Sequence, residues 1–401
     1  MSGELAGLVA EHGSPLWLAD ADRVRERLAG FEAAWSAAWP DVRVAYSYKT
    51  NRTTAFLRAV DDAGAGAEVV AAAEYALARE VVGVAGPRIT VNGPAKPAAL
   101  LESAAADGAL VVADSAVELE RLALAGVERA GLRVGLAAAG AAPSRFGVAP
   151  AQALAAGRRA RELGLSLEVL SVHLVSTDFA AGSAPTLAAS VRVAWGKPPA
   201  AYAQAAATLA GLAAELGGVE AIDLGGGFPP APAAAAHADA VAGALRAAGF
   251  AGVLMLEPGR ALVADAVRLV STVGAVKDLP DGRRCAVLDA GTNLLPGTLW
   301  GWPRLAAPAP RPDGGPTLVT GPLCLNVDVL HPAAELGRLE PGDLVVAHDV
   351  GAYEQVHATG FGDLRPAVVA RDGGRWRLDR RREEIADLIR HDRGEPSWSA
   401  S

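Results

Sequence analysis

The sequence predicts an α/β fold in which a (β/α)8 TIM-type barrel is followed by an all-β domain. Between Val42 and Glu257, short apolar strands alternate with helices rich in alanine and leucine. Eight such units fit into this stretch, and about 250 residues is a typical length for a closed barrel. After Glu257 the pattern changes to short β-like runs broken by glycine, proline and aspartate, which is typical of a separate β-domain.

Alternation of strands and helices predicts a parallel sheet with helical connections. An open doubly wound sheet is the alternative, although no Gly-x-Gly-x-x-Gly turn follows the first strand. The strands predicted for the barrel are Val42–Tyr48, Ala67–Val70, Ile89–Val91, Ala109–Ala113, Arg133–Ala137, Glu168–Leu174, Ala221–Leu224 and Val253–Leu256. The helices predicted between them include Ala72–Val82, Ala98–Ala106, Ala116–Ala125, Pro150–Leu163 and Ala200–Leu216.

Three segments are expected along the chain. Residues 1–40 form an N-terminal segment that joins the β-domain through a strand at Ser14–Ala19, residues 41–265 form the barrel, and residues 266–401 form the β-domain. The β-domain strands are predicted at Val267–Val273, Arg284–Asp289, Thr317–Thr320, Asp343–His348, Pro366–Arg371 and Trp376–Leu378.

The composition argues against several classes of function, namely nucleic-acid binding, metal binding and membrane association. The net charge of −8 argues against a nucleic-acid partner. Two cysteines far apart, Cys285 and Cys324, indicate neither a disulfide framework nor a metal cluster. No signal peptide and no run of 18 apolar residues is found. We therefore expect a cytoplasmic protein that binds no metal and does not interact with membranes.

The candidate site residues follow the barrel strands, because barrel chemistry lies at the carboxyl ends of the strands. These positions are Lys49, Glu68, Asn92, Asp114, Ser144–Gly147, His173, Ser176, Gly225–Gly227 and Glu257–Arg260.

Lys49 and the triple glycine suggest a cofactor. A lysine at the end of a buried strand is suited to covalent chemistry with an aldehyde once desolvation or a nearby cation lowers its pKa. Backbone amides in the Gly225–Gly227 turn would form a cradle for an anion, typically a phosphate. Together they suggest pyridoxal phosphate. The simpler alternative is a lysine at the barrel rim that pairs with an acidic residue.

Seven motifs in order make the chain resemble the ornithine/diaminopimelate decarboxylase family of fold-type III pyridoxal-phosphate enzymes, nearly from end to end. This family has the two-domain architecture of alanine racemase. The motifs are Tyr46–Asn51, Gly66–Glu74, Ser144–Gly147, Gly225–Phe228, Glu257–Arg260, Gly321–Cys324 with Asp328, and Asp349–Tyr353.

The resemblance implies roles for several residues. Lys49 would bind the cofactor covalently, and Glu257 would keep the ring nitrogen protonated. The phosphate would be held by Arg260, Ser176 and the amides of Gly226 and Gly227, while His173 would stack on the ring. The alternative for His173 is a core histidine, and the alternative for Glu68 or Glu74 is an ion pair with Arg79 or Arg88. The cofactor-binding residues implied in all are Lys49, Glu68, His173, Ser176, Gly226, Gly227, Glu257, Gly259, Arg260 and Tyr353.

The family resemblance also implies a homodimer with shared active sites. Cys324 would reach the cofactor of the partner subunit, with Asp328 and Tyr353 near it, across an isologous two-fold interface. Arg145, paired with Asp328, would help to hold the subunits together.

Two departures from the family pattern bear on the substrate. Leu325 stands where relatives that act on diamino acids carry Asp or Glu, and Leu294–Trp300 lacks the arginine expected for a distal carboxylate. An ammonium group buried against leucine would cost several kcal/mol. We therefore expect an amino acid without a free distal ammonium, such as an amide-masked or carrier-protein-tethered substrate of secondary metabolism. Val175 also replaces a usual glycine, so the loop near the phosphate is expected to follow a different path.

Three alternatives remain at this point. One is a diaminopimelate- or ornithine-type decarboxylase of primary metabolism. Another is a racemase on the same fold, although racemases place an arginine where this chain has Glu257. The third is an inactive homologue that binds a partner, which would be expected to have lost Lys49 or the phosphate cradle.

Overall fold

A computed structural model describes residues 2–136, 144–174, 197–299 and 301–390. The chain forms two compact units. One comprises the residues up to Asp22 together with those from Ala264 onward, and the other comprises Arg23–Val263. These limits differ from the predicted domain limits, mainly because a helix before residue 40 lies with the barrel.

The N-terminal residues form a helix and a strand, α1 (Ser2–His12) and β1 (Leu16–Asp20). Leu16, Trp17 and Leu18 are all buried, so both faces of β1 are covered. A strand of this kind belongs in the interior of a sheet.

Eight parallel strands close into a barrel in the unit Arg23–Val263. The first strand pairs with the second through Ala45 and Gly66, and with the last through Val42 and Leu254, so the sheet has no edge. The strands are β2 (Val42–Ser47), β3 (Gly66–Val69), β4 (Ile89–Val91), β5 (Leu110–Ala113), β6 (Arg129–Arg133), β7 (Ser166–Ser171), β8 (Ala221–Asp223) and β9 (Val253–Leu256).

Helices connect these strands, as a parallel sheet requires. Their starts follow local chemistry: the Ser115 hydroxyl accepts the Glu118 amide at 3.2 Å, and Pro150 occupies the first turn of its helix. The helices are α2 (Ala21–Ser36), α3 (Thr54–Asp62), α4 (Ala72–Ala76, continued by a π-helix at Leu77–Val82), α5 (Ala98–Ala106), α6 (Ala116–Leu124), α7 (Pro150–Glu162), α8 (Pro199–Glu215), α9 (Ala234–Ala247) and α10 (Arg260–Val263). Short 3-10 turns lie at Gly86–Arg88, Ala264–Ala266 and Pro296–Leu299.

The other unit is built on a nine-stranded sheet in which β1 takes part. Its remaining elements are β10 (Val267–Asp278), β11 (Arg284–Leu288), β12 (Arg304–Ala306), β13 (Thr317–Thr320), β14 (Val329–Ala334), β15 (Leu344–His348), α11 (Glu354–His357), β16 (Val368–Asp372), β17 (Arg375–Arg380) and α12 (Ile385–Leu388). The main strand order is β14-β13-β11-β10-β1-β16-β17, and β15 pairs with β10 and β12. Strand β1 runs antiparallel to β10 and parallel to β16.

The predicted fold class is confirmed, with two local errors. The fifth barrel strand was predicted at Arg133–Ala137 but lies at Arg129–Arg133. It begins on a charged residue because Arg129 pairs with Glu168 of the next strand at 3.0 Å. In the β-domain, β12 and β14 were not predicted, since β12 has three residues and β14 contains Pro332, which suits a strand at the edge of a sheet.

Candidate active site

Lys49 lies in the turn after β2, and its amine is held by a buried carboxylate. The Lys49 Nζ donates to Glu68 Oε2 at 2.5 Å, and the Ser47 hydroxyl donates to the same oxygen at 2.6 Å. Glu68 is fully buried within β3, whereas a third of the Lys49 side chain is exposed. The amine therefore has a buried, fixed partner, while part of the Lys49 side chain is exposed.

Asn92 connects this ion pair to a second carboxyl group. Its amide nitrogen donates to Glu68 Oε1 at 3.1 Å and to Glu257 Oε1 at 2.6 Å. Burial alone would raise the pKa of Glu68, but the charge of Lys49 and hydrogen bonds from Lys49, Ser47 and Asn92 bring it below its usual value. Glu68 is therefore the ionised partner of Lys49, and it does not pair with Arg79 or Arg88, which bind Asp107 and Asp61.

Glu257 follows β9 and lies against the last residue of β8, Asp223. Burial raises the pKa of Glu257 well above its usual range, and the negative charges of Asp223 and Glu68 add to this shift. Burial also raises the pKa of Asp223 to about 6, although hydrogen bonds from Glu257, Gly225 and Ser171 oppose the shift. The two carboxyls are hydrogen-bonded to each other, so at least one of them holds a proton near neutral pH.

The glycine turn after β8 is packed so closely that side chains cannot be added. A Cβ on Gly226 would lie 2.5 Å from the Glu257 carbonyl oxygen, and one on Gly227 would lie 2.7 Å from the Tyr202 hydroxyl. Gly225 and Gly227 also have positive φ angles of 64° and 90°. The sequence of three glycines is therefore required by space and by backbone conformation.

His173 is positioned by this turn. The Gly226 amide donates to His173 Nδ1 at 3.1 Å, so this amide has a partner within the chain, and its predicted contact with phosphate stays a prediction. Burial, together with the charges of Lys49 and Arg133, lowers the pKa of His173 to about 3. The imidazole is therefore neutral, with Nδ1 as acceptor, which suits a ring that stacks on a flat partner.

The loop after β9 returns to the lysine. Ser47 donates its amide to the Pro258 carbonyl at 3.2 Å, and a Cβ on Gly259 would lie 2.0 Å from Thr50 Oγ1. Gly259 therefore permits the Glu257–Arg260 loop to pack beside Lys49. Arg260 begins α10 and is half-buried.

The predicted residues of the other unit lie on a loop that Asp328 fixes. The buried Asp328 carboxylate accepts the amides of Thr292 at 2.7 Å and Leu323 at 2.8 Å. Both of its oxygens are thus used by its own unit, while Cys324 and Leu325 are exposed. The predicted pairing of Asp328 with Arg145 stays a prediction.

Arg145 and Tyr353 make contacts within their own units, and their predicted roles stay predictions. The Arg145 guanidinium lies 3.9 Å from the centre of the Phe146 ring. Tyr353 has a left-handed backbone, with φ of 73°, and its ring stacks on His357. Ser176 and Trp300, like Val175, lie outside the described residues.

A cavity of about 390 Å³ opens at the amino-terminal ends of the barrel strands, away from Lys49. Its rim carries ion pairs between Arg43 and Glu220 at 2.8 Å and between Arg129 and Glu168 at 3.0 Å. The residues with the chemistry described above lie at the opposite ends of the strands, so this cavity is separate from the candidate active site.

Sequence reasoning missed three residues that shape the site: Asp223, Arg133 and Tyr202. Asp223 lies two residues before Gly225, the first residue of the predicted glycine motif, and this position could have indicated it. Arg133 ends β6 and binds Asp114 at 3.3 Å, but it was placed at the start of a strand. Tyr202 comes from α8 and donates to the Gly226 carbonyl at 3.0 Å, a contact that no sequence pattern signals.

Comparison with known proteins identifies the family. The model named pyridoxal-dependent decarboxylase, pyridoxal binding domain, matches residues 23–264. The chain belongs to the pyridoxal-dependent decarboxylase family. The enzyme is 31% identical to the diaminopimelate decarboxylase of Deinococcus radiodurans, over 94% of this chain and 95% of that protein. It is 32% identical to the diaminopimelate decarboxylase of Actinosynnema pretiosum subsp. auranticum, over 96% and 90% of the two chains.

Solved structures share the fold of the enzyme. Diaminopimelate decarboxylase from Helicobacter pylori, complexed with L-lysine, has a TM-score of 0.85 at 23% identity, covering 97% of this chain and 99% of that one. Lysine/ornithine decarboxylase from Vibrio vulnificus, complexed with cadaverine, has a TM-score of 0.78 at 25% identity, covering 92% and 98%. The enzyme is a carboxy-lyase that uses pyridoxal phosphate. No helix in the described part of the enzyme is long and apolar enough to cross a membrane.

The site fits this cofactor on its own chemistry. Lys49 offers a partly exposed amine for the aldehyde, and the glycine turn brings backbone without side chains to the same end of the barrel, packed against His173 and the Glu257 carbonyl. Glu257 places a carboxyl at the same end of the barrel, linked to Lys49 through Asn92 and Glu68.

Proposed function

We propose that the enzyme releases CO2 from the α-carbon of an amino acid whose side chain carries no free distal ammonium. The observation that carries this proposal is the presence of an exposed leucine, Leu325, directly after Cys324. It follows Cys324 on the loop fixed by Asp328, and 43% of its surface is exposed. Its side chain is therefore free of its own unit's core and can face a ligand or a second subunit.

Charge supports this choice of substrate. The family resemblance implies a carboxylate at the position of Leu325 in relatives that act on diamino acids, and leucine offers no counter-charge. An ammonium brought from water to an apolar surface without a partner costs several kcal/mol. The segment Leu294–Trp300 also contains no cation for a distal carboxylate. A neutral side chain, or one whose far end is masked as an amide or held as a carrier-protein thioester, fits both features.

The barrel residues would perform the chemistry with pyridoxal phosphate, which when bound supplies an aldehyde for amines and a ring that withdraws electrons as CO2 departs. Lys49 would hold the aldehyde. The neutral imidazole of His173 would stack on the ring. The Gly227 amide and Arg260 would hold the phosphate, since the Gly226 amide already donates to His173.

Glu257 favours decarboxylation over racemisation. A carboxyl against the ring nitrogen stabilises the protonated, electron-withdrawing form of the ring, whereas an arginine would repel that proton. In this chain the carboxyl is buried and hydrogen-bonded by Asn92 at 2.6 Å, so its position is fixed before any ligand binds.

Diaminopimelate decarboxylation, a step of primary metabolism, is the second candidate. Its support is that relatives with that name are 31% and 32% identical over nearly the whole chain. It would require a counter-charge for the distal ammonium from a residue other than Leu325. We therefore rank it below a substrate with a neutral or masked side chain.

A homodimer that shares its active sites completes the proposal. Cys324 and Leu325 are exposed on a loop whose backbone is fixed by Asp328. A two-fold pairing would bring such a loop to the site of the partner subunit, and each subunit would contribute the same residues to the other.

Lys49 is tested by chemical labelling. Borohydride reduction of the enzyme with pyridoxal phosphate should fix the cofactor to Lys49, and peptide mapping should locate it there. The Lys49→Ala variant should lose the label and nearly all CO2 release, whereas Lys277→Ala, at an exposed strand lysine, should keep both. Labelling at any other lysine would rule out the assignment.

The substrate class is tested by CO2 release from a panel. The panel comprises meso-diaminopimelate, ornithine, lysine, free amino acids with neutral side chains, and an aminoacyl thioester on a carrier protein. The proposal expects turnover in the last two groups.

A further inference from the structure

Two buried carboxyls lie together at the ends of β8 and β9: Glu257, which has a proposed role, and Asp223, which has none. Asp223 is completely buried, and Glu257 is 4% exposed. Their strands are neighbours, with Asp223 opposite Met255, and the side chains are hydrogen-bonded. A bond between two carboxyls requires that one of them carry a proton.

The other contacts of Asp223 show which carboxyl carries the charge. Asp223 Oδ1 accepts the Gly225 amide at 2.8 Å, and Oδ2 accepts the Ser171 hydroxyl at 3.2 Å. Glu257 accepts the Asn92 amide at 2.6 Å. Because donors stabilise an ionised carboxylate, Asp223 is the negative member, and Glu257 donates the proton between them.

The charge of Lys49 lowers the pKa of Glu257, but it does not offset the burial that raises this pKa. The Lys49 ammonium forms its ion pair with Glu68, with 2.5 Å between Nζ and Oε2. Among the described residues, no lysine or arginine forms an ion pair with Asp223 or Glu257. The pair therefore holds one buried negative charge that a positively charged ligand atom would compensate.

We infer that Asp223 is a positioning residue that acts through Glu257 on the ring nitrogen of pyridoxal phosphate. This inference rests on the proposed contact between Glu257 and that nitrogen. Glu257 can give its proton to a ring nitrogen placed against it, so no proton enters or leaves the site. With the proton on the ring nitrogen, Glu257 and Asp223 would both be ionised, and the second charge, on Asp223, would strengthen the attraction for that proton.

The experiment compares two probes that differ at one ring atom. Affinities for pyridoxal 5′-phosphate and for its 1-deaza analogue, which has a C–H in place of the ring nitrogen, are measured in wild type and Asp223→Asn. We expect the substitution to weaken pyridoxal 5′-phosphate about tenfold, within the range usual for coupled neighbours. The deaza analogue should weaken less than twofold, because it has no nitrogen to protonate.

Equal losses for the two probes, or no loss for either, would overturn the inference, since a purely structural residue affects both alike. Glu257→Gln separates this outcome from failure of the proposed function. If Glu257→Gln discriminates between the probes and Asp223→Asn does not, only the role of Asp223 falls. If Glu257→Gln also fails to discriminate, the contact of Glu257 with the nitrogen is wrong.

A second variant covers the case in which Asp223→Asn does not fold. Ser171→Ala removes one donor to Asp223 and leaves Glu257 and Asn92 untouched. It should produce a smaller loss, of about two- to threefold, again confined to pyridoxal 5′-phosphate. A loss that is the same for both probes would contradict the inference here as well.

Discussion

At the scale of single residues, His173 links the site to the stability of the whole chain. Its pKa is about 3 in the folded chain because of burial and the nearby charges of Lys49 and Arg133, whereas an unfolded histidine has a pKa near 6.5. Between these values the unfolded chain binds a proton that the folded chain does not. Stability should therefore fall as the pH drops from about 6.5 towards 3.

The variant His173→Asn tests this effect, because asparagine can still accept the Gly226 amide. On going from pH 7.5 to pH 5, the variant should lose about 2 kcal/mol less unfolding free energy than wild type. Urea unfolding of the chain at both pH values measures the difference. The exposed control His357→Asn should behave as wild type. An equal loss in wild type and His173→Asn would mean that His173 is charged in the folded chain.

Some of these residues could be predicted individually, and others could not. Lys49 and Glu257 were found because each ends an apolar strand, and strand ends meet at one face of a barrel. Asp223 was not, because a single aspartate before a glycine run has many explanations until its neighbour is known. Its importance comes from Glu257, which is distant in sequence and adjacent only across the β8–β9 pair.

At the scale of elements, the glycine turn after β8 is the part of the site least able to change. The space at Gly226 is closed by the backbone of the neighbouring loop, since a Cβ there would lie 2.5 Å from the Glu257 carbonyl oxygen. Gly243, inside α9, has no atom within 4 Å of an added Cβ. Gly243 therefore serves as a control for substitutions at Gly226.

Alanine at these positions should have opposite effects. Gly226→Ala should destabilise the chain by about 1–3 kcal/mol through overpacking and lower the affinity for pyridoxal phosphate more than tenfold. Gly243→Ala should stabilise it by up to about 1 kcal/mol, as expected for a helical glycine. Unfolding curves and cofactor titrations check both. If Gly226→Ala bound cofactor like wild type, the turn would not be part of the site.

Element prediction succeeded where the pattern was local. Helix α5 was predicted at its observed limits, Ala98–Ala106, since its alanines and leucines favour a helix in any context. Strand β6 was misplaced because the ion pair that lets Arg129 begin it involves a residue of another strand. The hydrogen bond from the Gly226 amide to His173 was not predicted, because it is a tertiary contact between residues distant in sequence.

At the scale of the whole molecule, the proposed dimer predicts complementation between inactive subunits. When Lys49→Ala and Cys324→Ala chains are mixed and allowed to pair at random, half of the dimers are mixed, and each of these has one intact site. About a quarter of wild-type activity should return, provided that Cys324→Ala alone is severely impaired. No recovery in dimers shown by mass to be mixed would mean that each site is built from one chain.

The two-unit architecture could be predicted because alternating strands and helices give way to short β-like runs after Glu257. The family could be predicted from its motifs. The substrate class could be narrowed only by what this chain lacks relative to the family pattern, above all the carboxylate that Leu325 replaces. Its exposure shows that the side chain is not needed by the core of its own unit, which leaves recognition as its proposed role.

The most direct test of that role is the ratio of kcat/KM for meso-diaminopimelate to kcat/KM for the best substrate with a neutral or masked side chain, measured in the wild-type enzyme. An unpaired distal ammonium costing about 3 kcal/mol corresponds to a ratio near 1:100 or lower. Our account predicts a ratio in that range. A ratio above one, with efficient release of CO2 from free meso-diaminopimelate, would contradict it and establish the second candidate instead.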